Sequence, residues 1–158
     1  MRNIHFAFYA LFFCLSIGCN IGSSTTEELS AILQINENHR TAHMNGDADL
    51  FVSQMADTIT TIQDGQVYIN SRQDTYNRFS TYFNRVKYAK WDDTQPPSVR
   101  LSPDGKMATL IAQKEIQAGM VSESEPIKYD TSQWAWMASF IKDNDEWKLY
   151  AISSGKAQ

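Results

Sequence analysis

Apolar side chains recur at helical spacing in the first part of this chain and at alternating positions in the last part. Residues 27–45 predict a long amphipathic helix, with Thr26 as the expected N-cap and Gly46 as the residue that ends it. One face of this helix carries Ile32, Ile35, His39, Ala42 and His43.

Turn and capping residues divide the rest of the chain into shorter elements. Asp47 is expected to cap a second helix that runs to about Ala56, and Ser71 with Asp74 resembles a capping box that opens a third helix. A hairpin is predicted from strands over 58–62 and 67–69, and further strands over 87–91, 99–102, 106–117, 133–142 and 147–153. Helices gathered early and antiparallel strands late predict an α+β fold with the helices covering one face of the sheet.

The first nineteen residues are typical of a secretory signal. A positively charged start precedes an apolar run from Phe6 to Ile17. About twelve apolar residues span only ~18 Å as a helix, too short for a hydrocarbon core of ~30 Å. Leu15 to Cys19 resembles a bacterial lipobox, so we expect a lipid on Cys19 that anchors an exported domain at a membrane of the cell envelope; simple cleavage is the alternative. Residues 20–26 then read as a flexible tether.

Charge and cysteine content narrow the function classes. The chain has 14 basic and 18 acidic residues, a formal net charge of −4, which argues against a nucleic-acid partner. Both cysteines, Cys14 and Cys19, lie in the predicted signal, so the domain after it has no disulfide, cysteine-based zinc site or cysteine nucleophile.

Two motifs at the expected separation resemble those of the nuclear transport factor 2-like superfamily, which includes the SnoaL-like and ketosteroid isomerase-like proteins. They are Ala42-x3-Gly46-Asp47-x3-Phe51, followed by Ala56-Asp57, and the ending Asn144-Asp145-Glu146-Trp147-Lys148-Leu149. The resemblance covers residues 27–155 and implies one domain, in which three N-terminal helices pack on a curved, mainly antiparallel sheet. It also implies a cone-shaped α+β barrel with an apolar pocket at its mouth.

The resemblance directs attention to His39, which stands where ketosteroid isomerase-like members place a pocket tyrosine. A histidine there could bond to a ligand oxygen or act as a catalytic group, although an ordinary helix histidine bonded to backbone or water is the alternative. The position of the isomerase base falls on Gln63, which cannot accept a proton as a base does, so steroid-isomerase chemistry is not expected.

A metal site is a weaker hypothesis for the same helix face. His39 and His43 are four residues apart and could share a metal ion, with Glu115 as a third ligand. No HExxH motif accompanies them. We therefore expect neither a metal nor another cofactor.

Alternation along the predicted strands leaves the role of one sheet face open. Trp134 and Trp136 project from one face, and a comparable row on the neighbouring strand would be Met107, Thr109, Ile111 and Gln113. This face could line the pocket, pack as core, or form a surface that a second copy covers to give a homodimer. Arg72, Arg78 and Arg85 on the third helix read as its solvated side.

The sequence favours a non-enzymatic, membrane-anchored module that binds an unidentified small apolar molecule in the cone. The expected ligand-binding residues are His39, His43, Met55, Tyr76, Gln113, Trp134 and Trp136. The alternatives are a SnoaL-like enzyme of the isomerase, cyclase or hydratase type that uses His39, and a structural envelope protein that dimerises or docks a partner through its sheet face.

Overall fold

The computed structural model describes residues 24–157. The predicted signal and the lipidation site at Cys19 therefore lie outside the described residues. The elements in chain order are α1 Thr25–Asn45, α2 Ala48–Ser53, β1 Met55–Gln63, β2 Gln66–Ser71, α3 Arg72–Arg85, β3 Val86–Asp93, β4 Ser98–Leu101, β5 Met107–Met120, β6 Asp130–Asp143 and β7 Glu146–Lys156.

The first helix begins earlier than its sequence pattern predicts. Ser24, not Thr26, is the N-cap, because its side chain accepts from the Glu27 backbone while the Glu27 side chain accepts from the Ser24 backbone. Residues 25 and 26 therefore belong to α1 and not to the tether. The end of α1 is as predicted, with Gly46 in the left-handed conformation at φ 68°.

The second helix is shorter than expected. Asp47 caps α2 by accepting from the Leu50 backbone N–H at 2.8 Å, as predicted. The helix ends at Ser53, however, because Met55 already pairs with Leu149 in the sheet. Met55 therefore reaches the interior from β1, where the prediction had placed it on α2.

The strands form one sheet with the order β2-β1-β7-β6-β5-β3, and β4 pairs with β5. Only the β1–β7 pair is parallel among these seven described strands; the other pairs are antiparallel. The α+β class and the mainly antiparallel sheet are confirmed. The last three strands are longer than predicted, because residues at their ends still pair in the ladder, as Ala118 does with Asp130 and Trp134 with Lys156.

The three helices of the described residues cover the same face of the sheet. The core joins Ile32 and Ile35 of α1 and Phe83 of α3 to the inward side chains of the strands, such as Leu110 and Phe140. The opposite face remains open to solvent. No helix within residues 24–157 has the length and apolar character needed to span a membrane.

A buried glutamate fixes the start of α1 to the far end of the sheet. Glu28 is 8% exposed and accepts hydrogen bonds from the Lys142 ammonium and the Trp147 indole N–H, on the two strands of the β6–β7 hairpin. Such charge-assisted bonds are stronger than neutral ones. They set the direction in which α1 crosses the sheet, and hence where His39 and His43 lie.

Candidate functional site

A cavity of about 490 Å³ lies between the concave face of the sheet and helices α1 and α3, and it is partly open to solvent. At its deep end are Met55, Phe140 and Leu149, where β1 and β7 begin to pair. Gln63 and Ser154, near the ends of the same two parallel strands, line it at the other end. The cavity is therefore apolar in its depth and polar towards its mouth.

Five of the seven residues predicted to bind a ligand line this cavity: His39, His43, Met55, Trp134 and Trp136. Tyr76 does not, because it turns towards a separate depression beside Asp57 and Arg72. Gln113 does not either. It lies on the outer face, where its amide oxygen accepts a hydrogen bond from Gln95 at 3.0 Å. Their assignment to the pocket is corrected.

The register of β5 against β6 explains the error at Gln113. Trp136 pairs with Ala112 and Trp134 pairs with Lys114, and side chains directly opposite each other share a face. The inward row of β5 is thus the even-numbered one, which includes Leu110, and the predicted row from Met107 to Gln113 faces outward. The inward orientation of the two tryptophans agrees with the pocket-wall interpretation.

An aromatic cluster surrounds His43 at the wall of the cavity. Its ring stacks on Trp91 with centroids 3.8 Å apart, and it meets Phe51, Phe83 and Tyr88 edge-on at 5.0 to 5.5 Å. Trp91 and Tyr88, which line the cavity from β3, were missed by the sequence analysis. In a regular strand these two side chains would face opposite sides of the sheet, and a β-bulge between Tyr88 and Lys90, which the sequence pattern does not show, brings both to the cavity.

His43 is held as a neutral imidazole. Its Nδ1 lies 2.7 Å from the His39 carbonyl oxygen, and since that oxygen only accepts, Nδ1 carries the proton. The pKa of His43 is lowered to about 3, chiefly by burial and to a smaller extent by the nearby His39 and Lys114, while the bond to the His39 backbone opposes the shift. At neutral pH this residue offers packing and no charge.

His39 also lines the cavity, and it lacks a protein partner at one nitrogen. Its Nε2 is buried without a hydrogen-bond partner among the described residues. The pKa of His39 is lowered to about 4, chiefly by burial and to a smaller extent by the charge of Lys114, while an interaction with the Phe51 backbone opposes the shift. A buried polar atom left unpaired costs about 1–3 kcal/mol, which a bound ligand atom or water could recover.

A buried ion pair supplies the positive charge felt by both histidines. Lys114 is 1% exposed, with its Nζ 2.7 Å from Asp93 Oδ1 and 5.8 Å from the centre of the Trp136 ring. Asn36 donates a further bond to Asp93 at 3.4 Å. This arrangement orients Trp136 at the cavity wall and disfavours protonation of the histidines.

The structure separates Glu115 from the two histidines of the metal hypothesis. Glu115 faces outward and pairs with the Lys90 ammonium at 2.7 Å, on the other side of the sheet from His39. Within residues 24–157, no group of three or more histidine, cysteine or acidic side chains could hold a metal ion. Gln63 lines the cavity, and none of the described lining residues is an aspartate or glutamate. The site can donate and accept hydrogen bonds, but it presents no carboxylate base.

Comparison with known proteins places this geometry in a described fold. No protein-family model and no curated protein sequence matches the chain. Among solved structures, a proposed dehydratase of the NTF2-like family from Streptomyces avermitilis superposes with a TM-score of 0.70 at 15% identity, over 85% of this chain and 99% of its own. A ketosteroid isomerase-like protein from Erwinia carotovora atroseptica gives 0.66 at 12% identity, over 84% and 98%.

A third similar structure, the S. rosetta CaMKII hub, gives a TM-score of 0.58 at 18% identity, over 81% of this chain and 95% of its own. The three proteins have different described roles, so the likeness identifies the architecture and not the activity. The described helices pack on one face of a curved, mainly antiparallel sheet and enclose a cavity with it. The chain therefore has the nuclear transport factor 2-like cone fold.

Proposed function

We propose that this chain is an exported, lipid-anchored module that binds a small apolar ligand inside the cone. The observation that carries the proposal is a cavity of about 490 Å³ walled by aromatic side chains and two neutral histidines. Its volume lies within the range of ligand pockets, which are mostly apolar with a few polar groups that fix orientation. The unpaired Nε2 of His39 is such a polar group.

Ligand binding in the cavity is tested by filling the cavity with a larger side chain. Ala118 lines it on β5, whereas Ala135 is exposed on the outer face of β6, so Ala118→Trp and Ala135→Trp form a matched pair. Native mass spectrometry of the wild-type protein and of Ala135→Trp is expected to show a retained small molecule, and Ala118→Trp is expected to lose it. An unliganded wild-type protein whose melting temperature no apolar compound raises would contradict the proposal.

The anchor rests on the sequence before residue 24 and has its own test. Cys19→Ser is expected to move the protein from the membrane fraction to the soluble fraction and to abolish metabolic labelling with palmitate. Cys14→Ser, which alters only the predicted signal, is the matched control and is expected to leave both unchanged. Labelling that survives Cys19→Ser would refute lipidation at this residue.

Catalysis by His39 is less well supported than binding. A general base works best with a pKa near the working pH, and the pKa of His39 is lowered to about 4. None of the described cavity residues is a carboxylate that could act with it. On any substrate that is found, His39→Ala is expected to weaken binding with little change in turnover; a loss of turnover at unchanged affinity would favour the enzyme.

Self-association through the outer sheet face is a second candidate role. Ile111 and Met137 pair directly across β5 and β6 on that face and are 50% and 47% exposed. Apolar side chains left open in adjacent strands suit contact with a second copy. Light scattering at micromolar concentration is expected to report a dimer that Ile111→Lys dissociates and that Leu33→Lys, a change at an exposed apolar residue of α1, does not. A monomeric wild-type protein would exclude this role.

A further inference from the structure

The described lining of the cavity carries a positive charge and no negative charge. None of the lining residues within the described chain is acidic, although acidic residues outnumber basic ones in the sequence as a whole. Arg78 is the one cationic side chain among them, since the two histidines are neutral. The local balance at the cavity is therefore opposite in sign to that of the whole protein.

Arg78 lines the cavity while remaining exposed to solvent. It belongs to the α3 residues that line the cavity, together with Thr75, Phe79 and Tyr82. Its guanidinium carbon lies 5.2 Å from the centre of the Phe79 ring, a cation–π distance. No carboxylate of residues 24–157 forms an ion pair with it. Its five N–H donors are thus available for a ligand.

Three further polar side chains of the lining lie together at one end of the cavity. Gln63 ends β1, Ser154 lies near the end of β7, and Ser132 lies near the start of the antiparallel β6, so all three line the cavity at one edge of the sheet. Each has a side-chain donor that suits an oxyanion. In contrast, the depth of the cavity offers aromatic and aliphatic surface and no cation, where a ligand charge would lose its hydration without compensation.

We infer that the ligand is an amphipathic anion, with a flat apolar body in the depth of the cavity and a carboxylate at the mouth beside Arg78. This inference rests on the proposed ligand-binding function and adds the chemical class of the ligand. Arginine is suited to the role because its planar fork matches the two oxygens of a carboxylate. The histidines then contact the uncharged part of the ligand.

The test compares two probes of equal shape and different charge, 2-naphthylacetate and 2-(2-naphthyl)ethanol, by titration calorimetry on the full chain. The wild-type protein is expected to bind the acid about tenfold more tightly than the alcohol, as for one charge-assisted contact at a partly exposed site. Arg78→Gln is expected to lower affinity for the acid about tenfold and to leave affinity for the alcohol unchanged. Arg85→Gln, on the same helix outside the cavity, is the control and is expected to keep the preference.

Ionic strength gives a second readout, because the preference for the acid is expected to shrink with added salt while binding of the alcohol does not. Equal affinity of the wild-type protein for both probes would overturn the inference and leave ligand binding intact. The inference would also fail if Arg78→Gln and Arg85→Gln reduced affinity for the acid equally. If neither probe bound at all, the proposed function would fail for flat apolar ligands, and the inference with it.

Discussion

The two buried histidines make the stability of this fold sensitive to acid, and His43 allows the effect to be measured. The pKa of His43 is lowered from 6.5 to about 3 in the folded chain, chiefly by burial among aromatic rings. Below pH 6.5 the unfolded chain binds a proton that the folded chain does not, so stability is fully present above that pH and falls as the pH drops towards 3. At pH 5 the loss for such a group is about 2 kcal/mol.

The perturbation that isolates this effect is His43→Phe, which keeps an aromatic ring against Trp91 and removes the titrating group. Urea unfolding at pH 7.5 and pH 5.0 gives the free energy of unfolding of each protein. Wild type is expected to lose about 2 kcal/mol more than the variant between these pH values. The pKa of His39 is also lowered, so this residue adds a loss of its own that both proteins share.

The variant also loses the bond from His43 Nδ1 to the His39 carbonyl, which changes its stability at every pH. The test therefore compares only the change in the free energy of unfolding between pH 7.5 and pH 5.0. Carboxylates that titrate in this range are common to both proteins and cancel in the difference. An equal loss of stability in wild type and His43→Phe would show that His43 is protonated in the folded chain at pH 5, and the account of its environment would be wrong.

Two further substitutions test contacts that shape the cone. Glu28→Ala is expected to lower the free energy of unfolding, measured with urea, by about 2–4 kcal/mol. It leaves the buried Trp147 N–H without its acceptor and breaks the ion pair to the β6–β7 hairpin. A decrease below about 0.5 kcal/mol would contradict this role. Gly119→Ala is expected to lower the melting temperature by several degrees, since its Cβ would lie 2.4 Å from the Lys128 carbonyl oxygen, while Gly155→Ala, with open space around it, is expected to leave it unchanged. Equal melting temperatures for these two glycine variants would show that the segment around Lys128 moves away from the new Cβ without loss of stability.

The sequence predicted those features of the fold that depend on local chemistry. Asp47, Gly46 and Ser71 mark element ends because capping and left-handed conformations are properties of single residues and their near neighbours. The alternation of Trp134 and Trp136 likewise guarantees that both rings share a face, whatever the sheet packs against.

Features that depend on pairing between distant strands could not be predicted from the sequence pattern. Strand β5 has apolar side chains on both faces, Leu110 inward and Ile111 outward, so alternation alone could not show that Gln113 faces solvent. Lys114 is buried because Asp93, more than twenty residues earlier, meets it across the β3–β5 ladder. Arg78 was read as a solvated helix residue, since an exposed arginine on a cavity wall has the same sequence pattern as one in open solvent.

The most direct test of the central claim, that the cone holds a ligand, is a crystal structure grown with 2-(2-naphthyl)ethanol. The account predicts the naphthyl ring between Trp136 and the aromatic side chains of α3, with the hydroxyl group towards the mouth. A probe bound only on the outer sheet face, or a cavity closed by its own side chains with no probe inside, would contradict it.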